Sequence, residues 1–137
     1  MDGLLSDEHA TEGPRLVSQK YNKVKGSRWE SDLENYYNEQ GLKARRLPRA
    51  GTKDIGDIGI TLRNDHVIVV EAKNVKANKV AEWLAEADTE ADNHQAKYDT
   101  PCYGVVVRKT PGKTAEGGVV MMTQETFLNL LRWNELS

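Results

Sequence analysis

Apolar positions recur along the chain in two rhythms. Trp29, Leu33 and Tyr36/Tyr37 fall at helical spacing between Ser27, read as an N-cap, and Gly41. They predict a helix over about 28–40. Leu42 to Arg49 predicts a strand, stopped by Pro48 and a turn at Gly51. From Asp57 to Arg63 the rhythm becomes two, with Ile58, Ile60 and Leu62 on one face. Asn64-Asp65 predicts a tight turn, and Val67 to Val70 a buried strand running into Glu71. These two runs read as a hairpin. A helix over about 78–97 puts Val80, Trp83, Leu84 and Ala87 on one side. Cys102–Val107 and Gly118–Met122 predict strands around a polar loop. Thr123 and Glu125–Thr126 open a last helix carrying Phe127, Leu128, Leu130, Leu131 and Trp133. The order α-β-β-β-α-β-β-α predicts an α/β fold, a mixed sheet flanked by helices. Residues 1–25 lack apolar periodicity and predict a flexible N-terminal tail ahead of one domain over 26–137.

Composition narrows the class. A chain of 137 residues, 38% hydrophobic and 29% charged, reads as an ordinary soluble domain with one core. No apolar run is long enough to span a membrane. The opening MDGLLSDEHA has no basic stretch followed by an apolar one, so no secretory signal is predicted. The single cysteine, Cys102, excludes an internal disulfide and a cysteine-based zinc site and points to a reducing, cytoplasmic setting.

Charge changes the picture through its distribution. The net charge is −2, which by itself argues against nucleic acid. Residues 15–53, however, carry ten Lys/Arg against four acids, whereas residues 82–99 carry six acids against one lysine. Such polarity can offer DNA a basic face. It can equally describe two solvated surfaces of opposite sign.

The stretch that carries chemistry is Gly56-Asp57-Ile58 and, fourteen positions on from Asp57, Glu71-Ala72-Lys73. Asp57 opens one hairpin strand, and Glu71 and Lys73 close its partner. Glu71 and Lys73, two apart, project from the same face. Two carboxylates and an ammonium therefore meet at one sheet edge. Hard oxygen ligands of this kind suit Mg²⁺. Acid-X-Lys at a strand end is also a common solvated pattern, and Asp57 at the other end of the hairpin is what raises it above that.

Residues 26–76 resemble the PD-(D/E)XK nuclease superfamily, and within it the archaeal-type Holliday junction resolvases and their phage relatives. The resemblance rests on Gly26-Ser27-Arg28-Trp29-Glu30, Gly41, Arg45-Arg46, the flexible Arg49-Ala50-Gly51-Thr52-Lys53 segment, Gly56-Asp57-Ile58 and Glu71-Ala72-Lys73. It implies a restriction-endonuclease-like fold in which 26–137 is the nuclease domain. It implies metal binding by Asp57, Glu71 and the Ala72 carbonyl, with Mg²⁺ replaceable by Mn²⁺. Lys73 would assist the nucleophilic water, and Glu30 would complete the acidic cluster, with a route to the metal through water. The implied activity is structure-selective cleavage of branched DNA, with paired nicks in four-way junctions by a C2 homodimer in a prokaryotic cell or phage-infected host. Gly56 stands where the motif has proline. Asp54 is a further acid near the site, read mainly as a turn former. Lys25, Ser27, Arg28, Arg45, Arg46, Arg49 and Lys53 are the expected DNA contacts, holding phosphates rather than reading bases. His66 and His94 are read as surface residues. Trp83 and the Phe127–Trp133 cluster are read as core or subunit contact. Other PD-(D/E)XK nucleases and a non-catalytic DNA-structure-binding module are the alternatives.

Overall fold

The computed structural model describes residues 13–49 and 53–136, with side chains described for 20–49 and 53–134. Its elements are α1 (Gly13–Glu39), β1 (Lys43–Arg46), β2 (Ile58–Thr61), β3 (Val67–Lys73), α2 (Val80–Tyr98), β4 (Cys102–Arg108), β5 (Val119–Met121) and α3 (Gln124–Leu136). The five strands lie in chain order in one sheet. β3 and β4 are parallel and the other three pairings antiparallel. A parallel pair needs a long crossover, and α2 supplies it. This is the predicted mixed α/β sheet with flanking helices.

The pleat sorts side chains to two faces. Ile58, Ile60, Val70, Val105 and Val107 turn to α1, where they bury Trp29 and Leu33. Val67, Val69 and Val106 turn to α2 and meet Ala91, Ala87 and Trp83. Glu71 and Lys73 follow Val69 on the α2 face. The hairpin register pairs Ile58 with Val70, which leaves Asp57 just beyond the last β2–β3 pair, level with the end of β3.

α1 starts well before the predicted 28. Pro14 stands in its first turn, where its missing N–H has no helical partner to lose. The Arg, Leu, Gln and Lys residues that follow favour helix without forming an apolar stripe, so periodicity could not reveal them. Residues 13–25 of the predicted tail are therefore helical, while residues 1–12 lie outside the described residues. Ser27 is inside the helix, and its predicted capping role is corrected.

Close packing of α2 depends on Gly104. A Cβ there would lie 2.4 Å from the Ala87 carbonyl oxygen and 3.3 Å from the Ala91 Cβ. Gly104→Ala must push α2 off the sheet. It should cost ~1–3 kcal/mol as an overpacking change, read as a lower midpoint in thermal melting.

Candidate active site

The end of the β2–β3 hairpin assembles the site. Asp57 N–H donates to the Val70 carbonyl at 3.0 Å, fixing the Asp57 backbone against β3. Its Oδ2 accepts the Ala72 N–H at 2.9 Å. In a strand the N–H and C=O of one residue leave on the same side, so the Ala72 carbonyl also faces Asp57. Asp57 and Glu71 are both buried, with 6% exposure each. Burial, then the Glu71 charge, pushes the Asp57 carboxyl up to about 8. Lys73 Nζ lies 3.0 Å from Glu71 Oε2 and 2.9 Å from Glu86 Oε1. Burial pulls the lysine down, but Glu86 and Glu71 outweigh it and hold the ammonium above its ordinary value. Asp57, Glu71 and Lys73 are thus brought together as the hairpin reading required.

The departure at Gly56 has a structural reason. Its φ is +102°, and a Cβ would lie 2.3 Å from Val69 Cγ1. Proline, confined to φ near −65°, cannot adopt this backbone. Asp54 Oδ1 accepts the Gly56 N–H at 2.9 Å, the turn-forming contact expected of it.

Glu30 enters from α1, on the opposite face, and is linked to Asp57 through arginine. Arg49 Nη2 lies 2.7 Å from Glu30 Oε2 and 2.9 Å from Asp57 Oδ1. Arg46 Nη2 lies 2.9 Å from Glu30 Oε1, and the same guanidinium donates to Ser31 Oγ and Ser27 Oγ. Of the expected DNA contacts, Arg46 and Arg49 therefore already neutralise the acidic centre. Ser27 supports Arg46, and Arg45 and Lys53 are exposed. Residues 50–52 of the segment read as flexible lie outside the described residues.

Lys25 and Arg28 line a cavity of about 450 Å³ together with Lys76, Arg108 and Lys109. These last three cations were missed in the sequence. Their only signal was position, just past Lys73 and at the end of the adjacent parallel strand. Asn74 and Val75, directly after Lys73, line the same cavity, so the basic surface adjoins the acidic centre.

α2 contributes acids that sequence reasoning left as a solvated run. Oxygens of Asp54, Glu71, Glu86 and Glu90 lie within 4.8 Å of one another. Glu90 is 2% exposed. One turn on, His94 is buried too, correcting its surface assignment. Its Nδ1 lies 3.1 Å from Cys102 Sγ, and burial lowers its pKa. His66 is half-buried, bonded to the Tyr103 hydroxyl and facing the Trp133 ring. Burial also pushes the Cys102 thiol up to about 11. Cys102 should therefore react with a thiol reagent at pH 7.5 on the order of a hundredfold more slowly than free cysteine, measurable as the rate of chromophore release.

The donor set fits a hard divalent cation. Asp57, Glu71 and the Ala72 carbonyl offer only oxygen. Glu71 Oε1 is buried without a hydrogen-bond partner among the described residues. An arginine already bridges the neighbouring acids, so this is a place that attracts positive charge.

A restriction-endonuclease-like sheet with an acid at one hairpin end and acid-X-Lys at the other defines the PD-(D/E)XK nuclease class. Residues 21–87 match the family described as archaeal Holliday junction resolvase (hjc), so over that span the chain is similar to that family. The match takes in Glu30, Asp57, Glu71, Lys73 and Glu86, and it ends before Glu90. No curated protein matches the chain significantly. No helix among the described residues is long and apolar enough to cross a membrane.

Proposed function

We propose that this protein is a Mg²⁺-dependent endonuclease that resolves four-way DNA junctions by paired, symmetric nicks. The observation that carries the reading is the convergence of buried Asp57 and Glu71 with Lys73, whose ammonium is held 3.0 Å from Glu71. Asp57, Glu71 and the Ala72 carbonyl would hold the metal, and Mn²⁺ would substitute. Bound there, a divalent cation activates water and offsets charge developing on a phosphodiester. Lys73, fixed between Glu71 and Glu86, orients the attacking water and adds positive charge beside the phosphate. Glu30 completes the acidic cluster and aims Arg46 and Arg49 at the DNA backbone. Lys25, Arg28, Lys76, Arg108 and Lys109 extend a phosphate-binding surface away from the site, with Arg45 and Lys53 as further exposed contacts.

Two symmetric nicks require two sites, hence a C2 homodimer. Support comes from apolar residues left half-exposed on the edge strand β5 (Val119, Val120) and on α3, into which it leads (Phe127, Leu128, Leu131). Val120→Glu with Leu131→Glu should yield a monomer by light scattering and turn paired nicks into single ones.

The test is incubation with a labelled immobile junction and a matching linear duplex, with Mg²⁺ or EDTA. Paired nicks in the junction alone, lost in EDTA, support resolution. Equal cutting of linear duplex would remove the junction assignment and leave a nuclease. Tight junction binding without cleavage would favour a binding module.

A further inference from the structure

We infer that Glu90, with Asp54 and the second oxygen of Glu71, forms a second divalent-cation subsite on the α2 side of Glu71. Glu71 stands between two sets of groups. Toward β2 are Asp57 and the Ala72 carbonyl. Toward α2 are Glu86 and Glu90, with Asp54 from the loop before β2, their oxygens and those of Glu71 lying within 4.8 Å of one another.

The acidic cluster alone would say little, but Glu90 is not a solvated acid. It is 2% exposed, and neither carboxylate oxygen has a hydrogen-bond donor among the described residues. Its near neighbours are the carboxylates of Glu71 and Asp54, which offer it no compensating charge. An uncompensated carboxylate so deeply buried is too costly to hold. A proton or a cation must sit there.

Three features favour a cation. Glu71 Oε1 is also buried and unpartnered, so two acids face the same unmet need. Lys73 Nζ is already shared between Glu71 Oε2 and Glu86 Oε1, and its charge is committed to that pair. A cavity of about 310 Å³ lined by Asp54, Glu86, Thr89, Glu90 and Asn93 opens beside the cluster, giving a hydrated ion an approach to Asp54 and Glu90 and room for its waters. The loop is pinned in place, since Asn93 Nδ2 donates to the Asp54 carbonyl at 2.9 Å. Glu86 belongs to Lys73, leaving Asp54, Glu71 and Glu90 as the ligands. A cation shared through Glu71 would place two metals at one scissile phosphate, the arrangement that serves attacking and leaving oxygens together. That catalytic role rests on the nuclease reading; cation binding does not.

The experiment counts Mn²⁺ bound per chain by the loss of the free-ion electron paramagnetic resonance signal. Wild type, Glu90→Gln and Asp57→Asn are titrated with no DNA present. Two ions are expected in wild type. Glu90→Gln should retain one, or weaken one by about tenfold or more. Asp57→Asn should weaken the other. Glutamine has the shape of a protonated glutamate, so identical stoichiometry and affinity in wild type and Glu90→Gln would overturn the subsite and leave Glu90 as a protonated structural acid. Circular dichroism in EDTA reports folding. Should Glu90→Gln not fold, Asp54→Asn, on an exposed loop residue, is titrated in its place with the same two outcomes. Wild type that binds two Mn²⁺ yet leaves every DNA intact would sink the nuclease reading and not the subsite. A cleaving enzyme that binds one ion would do the reverse.

Discussion

Asp57→Asn should lower junction cleavage by at least about a hundredfold while junction binding stays within about threefold. The side chain is nearly isosteric. Its amide oxygen can still accept the Ala72 N–H that Asp57 Oδ2 accepts at 2.9 Å. What disappears is the negative charge that a cation needs. Binding should survive because the proposed phosphate contacts, Arg28, Lys76, Arg108 and Lys109, line a separate cavity. Equal losses of binding and cleavage would show that Asp57 shapes the DNA surface instead.

The same variant carries a pH signature. Folded wild-type Asp57 is pushed up to about 8 by burial and Glu71, against roughly 4 in an unfolded chain. A raised carboxyl binds its proton more tightly when folded. Its contribution to stability is therefore complete below about 4 and is lost as pH rises through about 8. In EDTA, wild type should lose thermal stability across that window more steeply than Asp57→Asn. A variant as pH-sensitive as wild type would contradict the assigned charge repulsion.

Trp29→Ala should be the most damaging single core change. Trp29 is 1% exposed and packs with Leu33, Ile58, Ile60, Val70, Val105 and Val107. Its Nε1–H donates to the Val107 carbonyl at 3.2 Å. Truncation removes the indole and its hydrogen bond, at a cost of ~3–5 kcal/mol for the cavity and about 1 more for the lost bond. Domains of this size have ~5–15 kcal/mol in total. The variant should melt many degrees lower, or be unfolded at 37 °C, by calorimetry and near-ultraviolet circular dichroism. Trp29→Phe, which keeps most of the apolar volume, should recover the larger part. Because Glu30 is the next residue, loosening α1 should also reduce cleavage beyond the unfolded fraction.

Legibility followed the range of the interactions. The alternation Ile58, Ile60, Leu62 and the run Val67–Val70 could be read because a strand with buried faces must be apolar at those positions. The hairpin then brought Asp57 to Glu71 through purely local geometry. The start of α1 was hidden because residues 13–25 carry no stripe for periodicity to detect. Ser27 was misread for the same reason, since an N-cap is assigned relative to a helix start. His94 and Glu90 sit in a run of mostly polar residues, where their neighbours on α2 face solvent. Only the sheet beneath the helix distinguishes them.

By itself, the sequence determined the element order, the two faces of the central strands and the convergence of Asp57, Glu71 and Lys73, since each follows from spacing within a strand or across one hairpin. Only the tertiary structure decided which acids join that trio. The parallel pairing of β3 with β4 lays α2 over the face bearing Glu71 and Lys73, and so sets Glu86 against Lys73 and buries Glu90 beside Glu71. The fold of β1 against α1 likewise turns Arg46 toward Glu30, and Arg49, beyond the strand, spans Glu30 and Asp57. Such partners lie far apart in the chain, and what unites them is a shared low-dielectric space in which each charge must find its complement.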